Sequence, residues 1–391
     1  MKEVEAYSDA SPGSTEPAVR PIAFYLPQFH PIPENDEWWG KGFTEWTNVA
    51  KAKALFKGHY QPRLPGELGF YDLRVPEARE AQANLAREYG IEAFCYWHYW
   101  FAGKRLLERP FQEVLESGKP DFPFCLAWAN ETWSGIWHGS PGRILQEQTY
   151  PGEEDHRKHF AYLLKAFKDA RYVRVKGKPL FVIYRPRKVP NVRQVLELWR
   201  NLAADAGLAG LYLVAVAVGD DTSSSYRADG FDGVTASGLT RAIRSPHLLV
   251  WGRLLKRRPR LRSLFNRLFP MPQHVYRYES VWRELAVDRR FDVSYHPSVM
   301  ANWDNTPRSG TRGWVLHDSA PDLFRRHLQH AIDLVETRSG EEKIIFLKSW
   351  NEWAEGNYLE PDRRYGRQYL EVIRDTLAAG DHVPVEAPTG P

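Results

Sequence analysis

Eight short apolar runs recur along the chain, and most are followed by a helical pattern. They occupy residues 21–28 (PIAFYLPQ), 91–99 (IEAFCYWHY), 123–130 (PFCLAWAN), 179–184 (PLFVIY), 211–218 (LYLVAVAV), 231–236 (FDGVTA), 297–303 (PSVMANW) and 343–350 (KIIFLKSW). Most are too continuous for half-exposed hairpins, in which apolar and polar residues alternate; continuous runs suit parallel strands covered on both faces. Helical patterns at 75–89, 156–170, 191–206, 321–337 and 367–377 lie between or after them. Pro76 and Pro321 suit first helical turns, and Gly90 suits a C-terminal cap. This alternation predicts an α/β fold, a (β/α)8 TIM barrel with long loops after strands one and six. A doubly wound open sheet is the alternative, but no Gly-x-Gly-x-x-Gly follows the first run and no P-loop occurs.

The expected layout is a disordered leader over 1–20, a barrel over 21–380 with a basic insertion at about 239–292, and a flexible tail over 381–391. The leader has no apolar core and does not read as a secretory signal, and no stretch reaches the length of a membrane-spanning helix; the expectation is a cytoplasmic protein. Cys95 and Cys125 both sit inside apolar runs, so no disulfide framework is expected. A net charge of +4 is too small to argue for nucleic acid. The charge is uneven, however: residues 233–278 carry ten Lys and Arg and no acid. Within that stretch, 253–269 alternates basic and apolar groups, a pattern that fits peripheral contact with an anionic membrane or a solvated helical hairpin.

A barrel of this kind places its chemistry at the C-terminal ends of the strands and in the loops beyond them. There the chain concentrates aromatic and polar residues: Tyr25 and Gln28 after the first run, Trp97 and His98 in the second, Trp128, Asn130 and Glu131 in the third, and Tyr184 in the fourth. Asn302 and Asp304 follow the seventh, and Trp350 and Asn351 end the eighth. The chain holds 15 Trp and 19 Tyr. Their rings offer an apolar face to the C–H face of a sugar together with one polar tip, and carboxylates and amides suit the hydroxyl rim. Glu45, on the long first loop, joins this set if the loop folds over the barrel mouth.

The strongest local signal is Asn351-Glu352-Trp353-Ala354-Glu355-Gly356. Two acids three residues apart on a turn face the same way. Glycoside hydrolysis needs two carboxyl groups, one to protonate the leaving oxygen and one to act at the sugar. Mutual repulsion raises the pKa of one of them and helps keep it protonated. A helix start favouring acids in its first turn is the alternative, but it does not account for the neighbouring Asn and Trp residues. No His-Glu-x-x-His, Cys-x-x-Cys or Gly-x-Ser-x-Gly pattern is present, so neither a metal nor another cofactor is expected.

Several motifs agree in order with one family. Phe24 to His30 (FYLPQFH), Trp39 to Trp46 (WGKGFTEW), Trp128 to Trp133 (WANETW) and Ser349 to Pro361 (SWNEWAEGNYLEP) resemble the WbsX-type proteins of bacterial polysaccharide and O-antigen gene clusters, often labelled glycosyltransferases. The likeness spans roughly 21–377 but leaves the basic insertion unmatched. More narrowly, the barrel and the Asn-Glu-Trp-x-Glu-Gly motif are similar to glycoside hydrolase family 99, the endo-acting α-mannosidases and mannanases. That resemblance implies that Glu352 acts at the sugar's 2-hydroxyl and Glu355 is the general acid/base, in a retaining reaction through an epoxide-like intermediate. The expectation is a glycoside hydrolase on an oligo- or polysaccharide of the bacterial surface or O-antigen kind. A sugar-nucleotide-dependent glycosyltransferase and a non-catalytic glycan-binding barrel are the rivals.

Overall fold

The structure, a computed structural model, describes residues 19–134, 144–217, 225–236, 239, 272, 274–285, 291–338 and 340–379. Eight strands form a closed ring: β1 (Arg20–Tyr25), β2 (Ala93–Phe101), β3 (Phe124–Trp128), β4 (Lys178–Ile183), β5 (Tyr212–Ala217), β6 (Gly233–Ala236), β7 (Ser294–Met300) and β8 (Ile344–Lys348). Each runs parallel to the next, and β8 returns to pair with β1. The fold is therefore a (β/α)8 barrel, and the open-sheet alternative is excluded by the β1–β8 pairing.

The helices among the described residues are α1 (Pro33–Trp39), α2 (Glu45–Lys51), α3 (Pro76–Glu88), α4 (Arg109–Ser117), α5 (Glu153–Phe167), α6 (Val192–Asp205), α7 (Tyr278–Leu285), α8 (Thr306–Ser309), α9 (Pro321–Glu336) and α10 (Gln368–Ala379). In α9 the buried residues Phe324, Leu328, Ala331, Ile332 and Val335 recur at helical spacing and give the stripe that packs on the barrel. Helix α5 starts at Glu153 rather than at 156, because Gly152 precedes three acids, Glu153, Glu154 and Asp155, that favour the positive end of the helix dipole.

The seventh strand begins three residues earlier than its apolar run suggests. Pro297 lies inside β7, where the ladder to β6 ends at Pro297 and the ladder to β8 begins at Ser298. A residue without an N–H is tolerated at that changeover.

Side chains alternate along the strands between barrel interior and helix layer. Inside, Phe24 stacks on Trp97 and on Phe346, with ring centroids 4.8 and 5.3 Å apart. Outside, Phe181 meets Trp199 of α6 and Phe167 of α5. Cys95 and Cys125 are buried free thiols. No helix among the described residues is long and apolar enough to cross a membrane. Residues 253–269, with the proposed membrane contact, lie outside the described residues, as do 1–18 and 380–391.

Candidate active site

Beyond β8 the chain makes a tight excursion. Asn351–Glu352 pairs antiparallel with Asn357–Tyr358, and a 3-10 turn, Trp353–Glu355, lies between them. Gly356 closes the turn at φ +59°, and a Cβ there would fall 2.9 Å from the Cβ of Asp304. This position therefore requires glycine for its backbone angle and for its close packing.

The excursion is tied to β1. The Trp350 N–H donates to Phe24 O at 2.7 Å, and Ser349 Oγ donates to the same carbonyl at 2.8 Å. The Asn351 amide accepts from Leu26 N at 2.7 Å and donates to Leu26 O at 3.1 Å, acting as a strand partner beyond the end of the ladder.

This arrangement brings Glu352 and Glu355 together at the C-terminal mouth of the barrel, 9% and 6% exposed. Arg308 of α8 reaches both: Nη1 donates to Glu355 Oε1 at 2.6 Å and lies 3.7 Å from Glu352 Oε1. The same guanidinium contacts Glu45 Oε2 at 3.2 Å. Glu45 is the first residue of α2, so the long first loop does fold over the mouth. Three buried carboxyl groups thus converge on one guanidinium.

Burial pushes the Glu352 carboxyl up to about 8, and the neighbouring Glu355 charge adds to the rise, while Lys348 and Arg308 oppose it. The two carboxyl groups share a hydrogen bond. Glu352 is thus the member of the pair inclined to hold a proton, and Glu355 is the one in direct contact with Arg308. Burial likewise raises Glu45, against the pull of Arg308. Burial by itself would lower Arg308, but Glu45, Glu355 and Glu352 hold it firmly protonated.

Asp304, fully buried, fixes the segment carrying Arg308. It accepts from Gln61 Nε2 at 2.8 Å and from Thr306 Oγ1 at 2.6 Å, and meets His59 Nε2 at 2.8 Å. His59 Nδ1 accepts from the Leu55 N–H, which leaves Nε2 to carry the proton shared with Asp304.

The glutamate pair opens into a cleft of about 220 Å³. Trp39, Trp97, Tyr99, Trp133, Tyr184 and Trp303 form its aromatic walls. Polar groups lie around them: Gln28 near β1, Glu131 paired with Arg185 at 3.0 Å, and Lys348, whose ammonium sits 4.8 Å from the centre of the Trp303 ring. Among the described residues, no group of His, Cys, Asp and Glu is arranged to hold a metal ion.

Of the residues singled out from the sequence, Gln28, Glu45, Trp97, Glu131, Tyr184, Glu352 and Glu355 line this cleft. The others lie elsewhere, and for Tyr25, His98 and Trp128 the reason is strand geometry. Neighbouring residues on a strand face opposite sides, so Trp97 and His98 cannot both face the mouth.

His98 points into the helix layer, where its Nε2 is 2.8 Å from His159 Nε2 of α5. Burial, with a smaller contribution from Arg105, lowers its pKa to about 3, so it is a neutral core histidine. Tyr25 faces α3 and donates to Gln82 Oε1 at 2.6 Å. Trp128 packs on His159 and Trp199, and Trp350 packs on Phe94. Asn130 holds the backbone of Arg185 from both sides, and Asp304 and Asn351 are the braces described above. Asn302 is buried beyond β7 and is not part of the cleft wall.

The sequence reading left out Arg308, Lys348, Tyr99, Trp133 and Trp303. Tyr99 stands two residues from Trp97 on β2, and that parity was visible in the run itself. Arg308 carried no local signal, because its role depends on three carboxylates distant in the chain.

The chain belongs to the glycosyltransferase WbsX family, whose model matches residues 21–373. It is 38% identical over 391 residues to the uncharacterized protein WxcX of Xanthomonas campestris pv. campestris (strain B100), a match that covers 97% of this chain and 52% of the relative. The chain thus spans about half the length of the curated relatives it matches. Among solved structures it is similar to a glycoside hydrolase-like protein, with TM-score 0.58 and 16% identity over 94% of this chain and 97% of that one. It is also similar to the GH99 endo-α-mannosidase from Bacteroides thetaiotaomicron, with TM-score 0.54 and 14% identity over 93% and 96% of the two chains. At these identities the structural likeness concerns the fold alone.

Proposed function

We propose that the chain is a retaining glycoside hydrolase acting on a bacterial cell-surface or O-antigen-like glycan, with Glu352 and Glu355 as its reacting pair. The observation that carries this reading is a pair of buried carboxyls at the floor of an aromatic cleft, with Glu355 ion-paired to Arg308 at 2.6 Å. Burial raises the pKa of Glu352 and inclines it to hold a proton, while Glu355 faces the guanidinium. Acid/base chemistry at a glycosidic bond needs that division.

The closeness of the two carboxyls supports substrate assistance. A nucleophile and its acid in a retaining enzyme stand about 5–5.5 Å apart, whereas Glu352 and Glu355 share a hydrogen bond. In the resting protein the proton is on Glu352, while the roles implied by the family 99 resemblance place it on Glu355 at the moment of reaction. Sugar entering the cleft would draw Arg308 away from Glu355, and the proton then crosses the shared hydrogen bond. Glu352 is left as the base at the 2-hydroxyl and Glu355 as the acid at the glycosidic oxygen. Trp97, Tyr184 and Trp303 supply ring faces for the sugar, and Gln28, Glu45 and Glu131 its hydroxyl contacts.

The name of the family favours a second reading, transfer from an activated donor. Product analysis separates the two: a bacterial polysaccharide and a sugar nucleotide are offered separately, and the released or extended glycan is identified together with its anomeric configuration. Glu352→Gln and Glu355→Gln should each abolish turnover while leaving a cooperative melt. Full activity in either variant refutes the assignment.

A further inference from the structure

Glu360 closes the long motif that contains the glutamate pair, and nothing in the chemistry above uses it. Its side chain is 2% exposed. Three side-chain donors grip its carboxylate: Trp353 Nε1 at 2.6 Å and Tyr71 OH at 2.9 Å, both on Oε2, and Gln82 Nε2 at 2.7 Å on Oε1. They come from three places: the turn between the two reacting glutamates, the long first loop, and α3.

Each donor is fixed in that role. Gln82 Oε1 accepts from Tyr25 OH at 2.6 Å, so the amide cannot flip without losing a bond at both ends. The phenolic Oη of Tyr71 accepts from Asn351 Nδ2 at 3.3 Å, which turns its own O–H towards Glu360. An indole N–H can only donate. The cage is complementary to a carboxylate without a proton.

We infer that Glu360 is a positioning residue: by accepting the Trp353 indole N–H while tied to α3 and the first loop, it sets the orientation of the turn that presents Glu352 and Glu355. The consequence for reaction geometry rests on the functional reading above; the consequence for the turn does not.

Burial pushes the Glu360 carboxyl up to about 7, against the lowering pull of Trp353, Gln82, Tyr71 and Trp350. The titratable groups facing it are Tyr71 and, through Gln82, Tyr25, both held neutral by burial. The α3 cation Arg79 is occupied by Glu113 and by Leu73 O. A proton arriving on Glu360 meets groups that all donate to it, and only the Tyr71 oxygen can accept it, once the Tyr71 O–H turns away. The network must then rearrange, and the turn with it.

The test uses the full chain labelled with 5-fluorotryptophan, with the Trp353 ¹⁹F resonance assigned from Trp353→Phe and the Glu352 carboxyl followed by ¹³C NMR. Between pH 5 and 9 the Trp353 resonance should move with a midpoint near 7. In Glu360→Gln the step near 7 should vanish, leaving only the effect of the neighbouring Glu352 titration, and the Glu352 midpoint should shift by about half a pH unit or more, because its desolvation and its distance to Glu355 change together. Tyr71→Phe removes one donor from the carboxylate and should raise the Trp353 midpoint, which keeps the test decisive if Glu360→Gln does not fold. A flat Trp353 signal in the unaltered chain, an unchanged titration in Glu360→Gln, or an unmoved midpoint in Tyr71→Phe overturns the inference. These readouts do not depend on turnover, so a failed activity assay would sink the functional reading without touching this one.

Discussion

Replacing Glu352 with Gln should change how stability depends on pH, by an amount that follows from the burial of its carboxyl. The folded pKa is about 8 against an ordinary value of 4.5. Between those two values the folded protein keeps a proton that the unfolded chain has released. The stability contributed by Glu352 is therefore fully present below about pH 4.5 and is lost as pH rises towards 8. The slope for one group is about 1.4 kcal/mol per pH unit.

An uncharged amide of the same shape has no such slope. Subtracting one protein from the other cancels the remaining groups to first order. For a 391-residue chain the entropy of unfolding is about 0.8 kcal/mol/K, so the Tm of Glu352→Gln should exceed that of the unaltered chain by an extra ~1.7 °C per pH unit. Between pH 5 and 8 this accumulates to roughly 5 °C, a ceiling because the Glu355 charge can relax when its neighbour ionises. The assay is a pair of calorimetric or fluorescence melts at half-unit steps. A Tm difference that stays constant over this range, or that narrows as pH rises, refutes the claim that Glu352 is the proton-holding member of the pair.

Three further outcomes follow from the same contacts. Glu355→Gln removes the charge that helps raise Glu352, so the Glu352 midpoint should fall below 8 when read by ¹³C carboxyl NMR. Arg308→Met strands Glu45, Glu352 and Glu355 without their shared cation and should cost about 3–5 kcal/mol in denaturant unfolding at pH 8, less at pH 5, where protonation relieves the repulsion. Gly356→Ala drives a methyl group against Asp304 at a left-handed backbone angle, so it should cost about 1–3 kcal/mol and should also perturb the Glu352 titration.

The barrel was legible because burial on both faces writes each strand as an unbroken apolar run, and a closed ring of such strands has few alternatives. The glutamate pair was legible because its geometry is local: three residues on one turn. The walls of the cleft were harder to read. At the strand ends aromatic residues crowd both faces, so richness in Trp and Tyr marks the region without saying which ring faces the mouth. Tyr25, His98 and Trp128 lie on the helix side of their strands, while Trp97 and Tyr99 lie on the cleft side, and alternation along β2 already separates these two from His98. Glu45 and Arg308 could not be paired from the sequence, since nothing local in residues 45 and 308 says that α2 and α8 meet.

The bonds that seat the glutamate turn join residues at opposite ends of the barrel: Leu26 to Asn351 and Phe24 to Ser349, each pair 325 positions apart. A ribosome must therefore finish almost the entire barrel before the first and last staves can be clasped. A nascent or C-terminally truncated chain lacking residues beyond 348 would have much of the wall of the vessel and no hearth inside it. The glutamate turn should be seated late and all at once during synthesis, when the cylinder shuts.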